Sequence, residues 1–368
     1  MTQVNQDRLV NHFLDIIQID SESKNEKAIA ETLAEQLDGL GFSVTKLPVP
    51  EHVSNGFNIY ARLNGELEGS IVFSSHMDTV IPGNGIEPII EDGVIRSKGN
   101  TVLGGDDKSG IAAVMEAVRV IKENNLAHKS IELAFTVYEE GGLNGSKNYD
   151  MSYIQSSHAI VLDSGGPIGS IVTSAPGQQN LKVSITGRPA HAGLAPEEGI
   201  NALTVAADAI TNMALARIDE ETTANIGVVR GGQATNIVMP DLYIEGEARS
   251  LNDVKLAKQV EHMESTFKGA AEKHEAQIDI ISTRAYNAYK IADENPHVAG
   301  IKEAFESINI RSFTKSTGGG SDANIFNEKG LTTVNLSTGM SKVHTTEEYI
   351  KVADMVDITR FLTAYLTR

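Results

Sequence analysis

SIVFSSHMDTV, residues 70–80, runs from a short apolar segment straight into His76, Met77 and Asp78. Read as a strand that ends in a histidine, it is one of several built alike. IELAFTVYEE (131–140) ends on Glu139 and Glu140, and HAIVLD (158–163) ends on Asp163. FSVTKL, GFNIYARL and LTTVNLS are further β-rich runs, and helical stretches such as Ser109 to Asn124 alternate with several of them. That alternation predicts an α/β fold with a mostly parallel, mixed sheet flanked by helices. Asp106 falls at the start of a predicted helix, and ligands of open α/β sheets gather at the carboxyl ends of strands. Residues remote in sequence can therefore meet there. Upstream, Asp7 to Leu40 carries two amphipathic helical patterns that stop at Gly39 and Gly41.

From about Gly177 to Ala285 the pattern changes to strand (Gln179–Thr186), helix (Glu198–Met213), strand (Thr223–Val229), strand (Leu242–Arg249), helix (Val254–Lys273) and strand (Ala276–Thr283). This βαββαβ order is ferredoxin-like and predicts a separate small domain. The expected organisation is a catalytic domain over 1–176 and 287–368 with an inserted lid over 177–286. At 368 residues the chain exceeds what one core usually supports, which agrees with two domains.

Against 31 basic residues stand 49 acidic ones, a formal net charge of −18, which disfavours nucleic acid or an anionic membrane as partner. There is no cysteine, so disulfides and thiolate metal sites are excluded. No apolar run reaches membrane-spanning length, and the N-terminus lacks the pattern of a signal peptide, so a cytoplasmic protein is expected.

The chemistry rests on seven side chains in five short segments: His76 and Asp78, Asp106 in GGDDKSG, Glu139 and Glu140 in YEEGG, Asp163 in LDSGG, and His344 in KVHTTEE. Imidazole and carboxylate donors without thiols suit zinc or a similar divalent ion, and a spare glutamate supplies the base that activates water. Two residues apart on a strand, Asp78 faces the same way as His76 and can fix its tautomer. Asp106 can bridge two ions with its two oxygens, or merely cap the helix. Of Glu139 and Glu140, one suits a metal and the other a general base. Asp163 can serve a second ion or stand as a turn aspartate. Each signal is modest alone, and their joint occurrence at strand ends is what points to a two-metal hydrolase.

HMDTVIPG, LGGDDKSG, YEEGG, LDSGG, GRPAHAG and VHTTEEYI, in this order and spacing, resemble the peptidase T-like (tripeptide aminopeptidase-like) branch of the dinuclear zinc aminoacylase and carboxypeptidase superfamily. The resemblance spans nearly the whole chain. It implies that His76, Asp106 and Asp163 hold one zinc, that Asp106 bridges to a second held by Glu140 and His344, that Glu139 is the base and that Asp78 supports His76. Cobalt or manganese in place of zinc would fit the same donors. The resemblance also implies a cis-like peptide between Asp106 and Asp107. It further implies that His191 of GRPAHAG stabilises the tetrahedral intermediate, often across a homodimer formed through the lid, a role that needs a donor aimed at the developing oxyanion. Asn236 in GGQATNIV and Arg249 in GEARS resemble substrate-binding groups, Arg249 being able to grip a peptide carboxylate through two hydrogen bonds. STGGGSDAN, residues 316–324, resembles a glycine-rich loop bordering the substrate cleft.

The expected substrate is a short peptide, with tripeptides cleaved at the N-terminal residue. Alternatives are a dipeptidase, an N-acyl amino acid deacylase with the same metal chemistry, and a non-catalytic metal- or peptide-binding relative. The last has no need of Glu139. A serine hydrolase is disfavoured because GGSDA (319–323) and LDSGG each fail the GxSxG pattern, and HExxH, Walker A and GxGxxG are absent.

Overall fold

The computed structural model describes residues 3–368. It divides into two compact units, one of 3–174, Lys290–Ser316 and Ser321–Arg368, the other of Ala175–Tyr289 with Thr317–Gly320. These bounds differ from the reading along the chain by a few residues. Thr317–Gly320 joins the second unit, where Gly320 lies flat against the Tyr286 ring.

The first unit is built on a mixed sheet. Strands Ser43–Pro48, Phe57–Leu63, Ser130–Thr136, Ser70–His76, His158–Ser164, Thr332–Ser337 and Ser170–Ala175 lie side by side in that order. Four central neighbours run parallel, with Val72 opposite both Glu132 and Ala159, and Val161 opposite Asn335. Their carboxyl ends therefore share one edge. Ser70–His76 and Ser130–Thr136 are buried at nearly every position, as expected of parallel strands covered on both faces.

Helix Gly105–Glu123 packs on strands Ser70–His76 and His158–Ser164 and against helices Gln6–Ile17 and Val352–Leu366. Enclosed on all sides, it buries almost every residue, including Glu116, which Arg8 grips through Nε at 2.7 Å and a second guanidinium nitrogen at 2.8 Å. Gly110 permits this closeness, since a Cβ there would lie 2.4 Å from Ser75 Oγ and 2.7 Å from Leu162 Cβ.

In the second unit, strands Ala216–Arg217, Thr222–Gly231, Asp241–Ser250, Gly177–Thr186 and Gln277–Tyr286 form an antiparallel sheet in that order. Leu181, Val183 and Ile185 point into a core with Val205, Met263 and Phe267 from helices Ala202–Thr211 and Asp253–Lys273. Lys182 and Ser184, between them in sequence, face the other way. The first of these helices begins later than its apolar periodicity predicts. Ile200 is held extended by a two-way backbone bridge to Arg188, and Asn201 then caps the helix by accepting from Leu203 N at 2.9 Å. Among the described residues no helix is long and apolar enough to cross a membrane.

Candidate metal centre

The shared edge of the central strands gathers the metal-type side chains. His76 ends its strand, Glu139 and Glu140 follow strand Ser130–Thr136, Asp163 lies at the end of His158–Ser164, and Asp106 opens helix Gly105–Glu123. His344 comes from the segment after strand Thr332–Ser337.

Asp106 is at the middle. Its Oδ1 is 3.0 Å from His76 Nε2 and its Oδ2 is 3.2 Å from His344 Nε2. His344 Nε2 also lies 2.9 Å from Glu140 Oε1, and His76 Nε2 lies 3.9 Å from Asp163 Oδ1. Donor atoms of His76, Asp106 and Glu140 lie within 4.8 Å of one another, as do those of His76, Glu139 and Asp163. The peptide bond between Asp106 and Asp107 is cis.

On the other side of its ring, His76 Nδ1 is 3.0 Å from the Asp78 carbonyl oxygen and 3.4 Å from Asp78 Oδ1. A proton held there makes Nε2 the ring nitrogen that a cation would take once the proton shared with Asp106 is displaced. Asp78 is fully buried and also accepts from Ser23 Oγ at 2.7 Å and from the backbone N–H of Glu139 at 2.9 Å.

Burial pushes the pKa of Glu139, Glu140 and Asp163 upward, and neighbouring carboxylates push in the same direction. For His76, burial opposes the charge, yet the bonds to Asp106 and Asp78 prevail and raise it well above the usual range. Hydrogen bonds to Asp106 and Glu140 lift His344 to about 10. Burial works against ionisation of Asp106, but His344 and His76 bring it down. Four crowded carboxylates and two imidazoles that hold protons as counter-charges form a donor set that fits divalent cations, which would displace those protons.

Several supporting residues carry no obvious signal in the sequence. Glu348 is buried and accepts from Leu103 N at 2.7 Å, Gly104 N at 2.9 Å and Asp106 N at 3.0 Å. Asn335, one strand over, brackets Asp163 by accepting from its N–H at 3.0 Å and donating to its carbonyl at 2.7 Å. Asp322, from the glycine-rich stretch, accepts from Thr136 Oγ1 at 2.5 Å and is buried close enough to Glu139 to raise it.

The remaining predicted site residues belong to the second unit. His191 and Asn236 are exposed on adjacent segments, joined where Ala192 N donates to Asn236 O at 3.0 Å, and His191 Nδ1 accepts from Gly193 N at 3.1 Å. Arg249 sits on strand Asp241–Ser250 and is already engaged, with Nε 2.8 Å from Glu247 Oε1 and a terminal nitrogen 3.0 Å from Glu247 Oε2. Two apart on one strand, these side chains share a face. The i, i+2 spacing of Glu247 and Arg249 in GEARS is the signal in the sequence for that pairing.

Residues 72–368 match the family model for peptidase family M20/M25/M40. The chain is 41% identical to the uncharacterised Bacillus subtilis protein YqjE over 99% of its own length and 98% of that protein's. It is similar to the crystal structure of aminopeptidase PepT from Bacillus cereus, at 42% identity and a TM-score of 0.90 over 99% of this chain and 98% of that one. It is also similar to a tripeptidase from Staphylococcus aureus, at 36% identity and a TM-score of 0.95 with the same coverage, 99% and 98%. A metal-type cluster at the strand ends and a family match running from within the His76 strand to the last residue agree: this chain belongs to peptidase family M20/M25/M40, as a hydrolytic peptidase of its peptidase T-like branch.

Proposed function

We propose that this protein is a two-metal aminopeptidase that removes the N-terminal residue of short peptides, tripeptides foremost. The observation that carries the reading is Asp106, whose two oxygens face two different imidazoles while the buried Glu139 stands close by. His76, Asp106 and Asp163 would hold one ion, and Asp106, Glu140 and His344 the other. Zinc suits these nitrogen and carboxylate donors best, and cobalt or manganese fit them too. When bound, the ions supply Lewis acidity toward the scissile carbonyl and make water a nucleophile near neutral pH.

The residues do the rest. Glu139, raised by burial, takes a proton from the attacking water as the C–O bond forms, and delivers it to the leaving nitrogen as the C–N bond breaks. Asp78 keeps the proton of His76 on Nδ1 and leaves Nε2 free as a donor. His191 is assigned the donor to the developing oxyanion, and Asn236 and Arg249 the recognition of substrate polar groups. Tripeptide specificity is supported by the similarity to an aminopeptidase PepT and to a tripeptidase.

The test is a screen of di-, tri- and N-acylated peptides with zinc, cobalt and manganese, with a chelator as control. N-terminal release from tripeptides, abolished by chelator and restored by metal, is expected. Release only from acylated amino acids or only from dipeptides replaces the tripeptidase reading, and inertness with all of them removes it.

A further inference from the structure

Between the end of strand Ser130–Thr136 and the two glutamates, the backbone leaves the sheet, and side chains take over its N–H groups. Val137 N donates to Asn58 Oδ1 at 3.0 Å, Tyr138 N to Glu26 Oε1 at 2.9 Å, Glu139 N to Asp78 Oδ1 at 2.9 Å and Glu140 N to Asp78 Oδ2 at 3.3 Å. Tyr138 has a φ of +46°, in the left-handed region that a side chain of its size seldom occupies. Its ring lies over Gly141, where a Cβ would come within 1.8 Å of Tyr138 Cε2. Such a turn persists only where its surroundings over-determine it.

Glu26 is one of those surroundings. Its carboxylate is fully buried, and its donors among the described residues are neutral: Lys24 N at 2.8 Å, Tyr138 N, and the Ser54 hydroxyl. It precedes helix Lys27–Gly39, far in sequence from the cluster, and its side chain gives that helix no cap. Burying a carboxylate without a cation beside it is costly, and three convergent donors are the compensation visible here.

We propose that Glu26 is a positioning residue for the peptidase reaction: by holding the Tyr138 N–H while Asp78 holds the next two, it fixes the turn that presents Glu139 and Glu140. The proposal rests on the assignment of Glu139 as the base. It requires an acceptor at position 26, and a glutamine carbonyl can accept from Lys24 and Tyr138 while the amide donates to Ser54 Oγ.

The experiment compares wild type, E26A and E26Q as full-length, zinc-loaded proteins. Tripeptide turnover is measured together with hydrogen–deuterium exchange of the peptide covering residues 137–141. In E26A, kcat is expected to fall at least tenfold with KM within twofold, and exchange at 137–141 to quicken at least tenfold. E26Q is expected to keep kcat and exchange within threefold of wild type. Unchanged exchange at 137–141 in E26A overturns the proposal, and so does an E26Q as impaired as E26A. Should E26A not fold, the E26Q result decides alone. If wild type proves inactive on every peptide, the assignment of the base fails, whereas the exchange measurement still decides whether Glu26 holds the turn.

Discussion

Glu348 holds the backbone of Asp106 from more than two hundred residues away in sequence, its Oε1 3.0 Å from the Asp106 N–H. Its other oxygen takes the N–H groups of Leu103 and Gly104, so one buried carboxylate clamps the whole approach to the proposed bridging ligand. Removing it leaves three N–H groups without their acceptor and frees the Asp106 side chain to turn. Glu348→Ala is expected to weaken zinc binding roughly 10- to 100-fold, the usual cost of losing a group that orients a metal ligand. Competition with a chromogenic chelator measures this, and an unchanged affinity would show that Asp106 is held by other means.

The clamp also shows where sequence reading stops. His76, Glu139, Glu140 and Asp163 were legible because strand periodicity delivers them to one edge and glycines follow three of them. Glu26, Asn335 and Glu348 act by accepting backbone N–H groups from distant segments. Such a role has no period or spacing, and a glutamate that performs it reads like any surface glutamate. The fold was legible for a related reason. Alternation of apolar residues marks Leu181, Val183 and Ile185 as one buried face, whereas the start of the first helix of the second unit depended on a bridge between Arg188 and Ile200 that only tertiary structure supplies.

Glu139→Gln separates chemistry from binding. The substitution preserves volume and removes the proton acceptor, so turnover is expected to fall by roughly 10²- to 10⁴-fold, the range for a lost general base. Metal content by elemental analysis should remain two ions per chain. Near-normal turnover in a variant that still holds its metal would sink the assigned role.

Arg249 enters with a partner already in place, since Glu247 takes the edge of its guanidinium formed by Nε and one terminal nitrogen and also accepts from Gln178 Nε2 at 2.8 Å. If Arg249 recognises the substrate carboxylate, Arg249→Ala should raise KM roughly 10- to 100-fold for tripeptides with a free C-terminus, from the loss of charge-assisted hydrogen bonds. C-terminally amidated tripeptides should be nearly unaffected. An equal loss on both series assigns Arg249 to its pair with Glu247 and to structure alone.

His12 gives a prediction about stability versus pH that lies apart from the metal cluster. Burial first, and the nearby Arg119 charge second, lower its pKa from 6.5 to about 4, while Nε2 stays 2.8 Å from Gln36 Oε1. The unfolded chain therefore takes up this proton before the folded one does. The stabilisation is fully present above pH 6.5 and is lost as pH falls toward 4. Glu26 and Glu348, both raised to about 7 by burial, work in the opposite direction, their contribution growing as pH falls from 7 to 4.5. Because wild type and His12→Gln share those glutamates, their effect cancels in the difference between the two proteins. Denaturant unfolding of both from pH 7 to 4 should show a constant gap above pH 6.5 that moves against wild type by on the order of 3 kcal/mol at the acid end. A gap that stays flat across this range would mean that His12 titrates alike in the folded and unfolded chains.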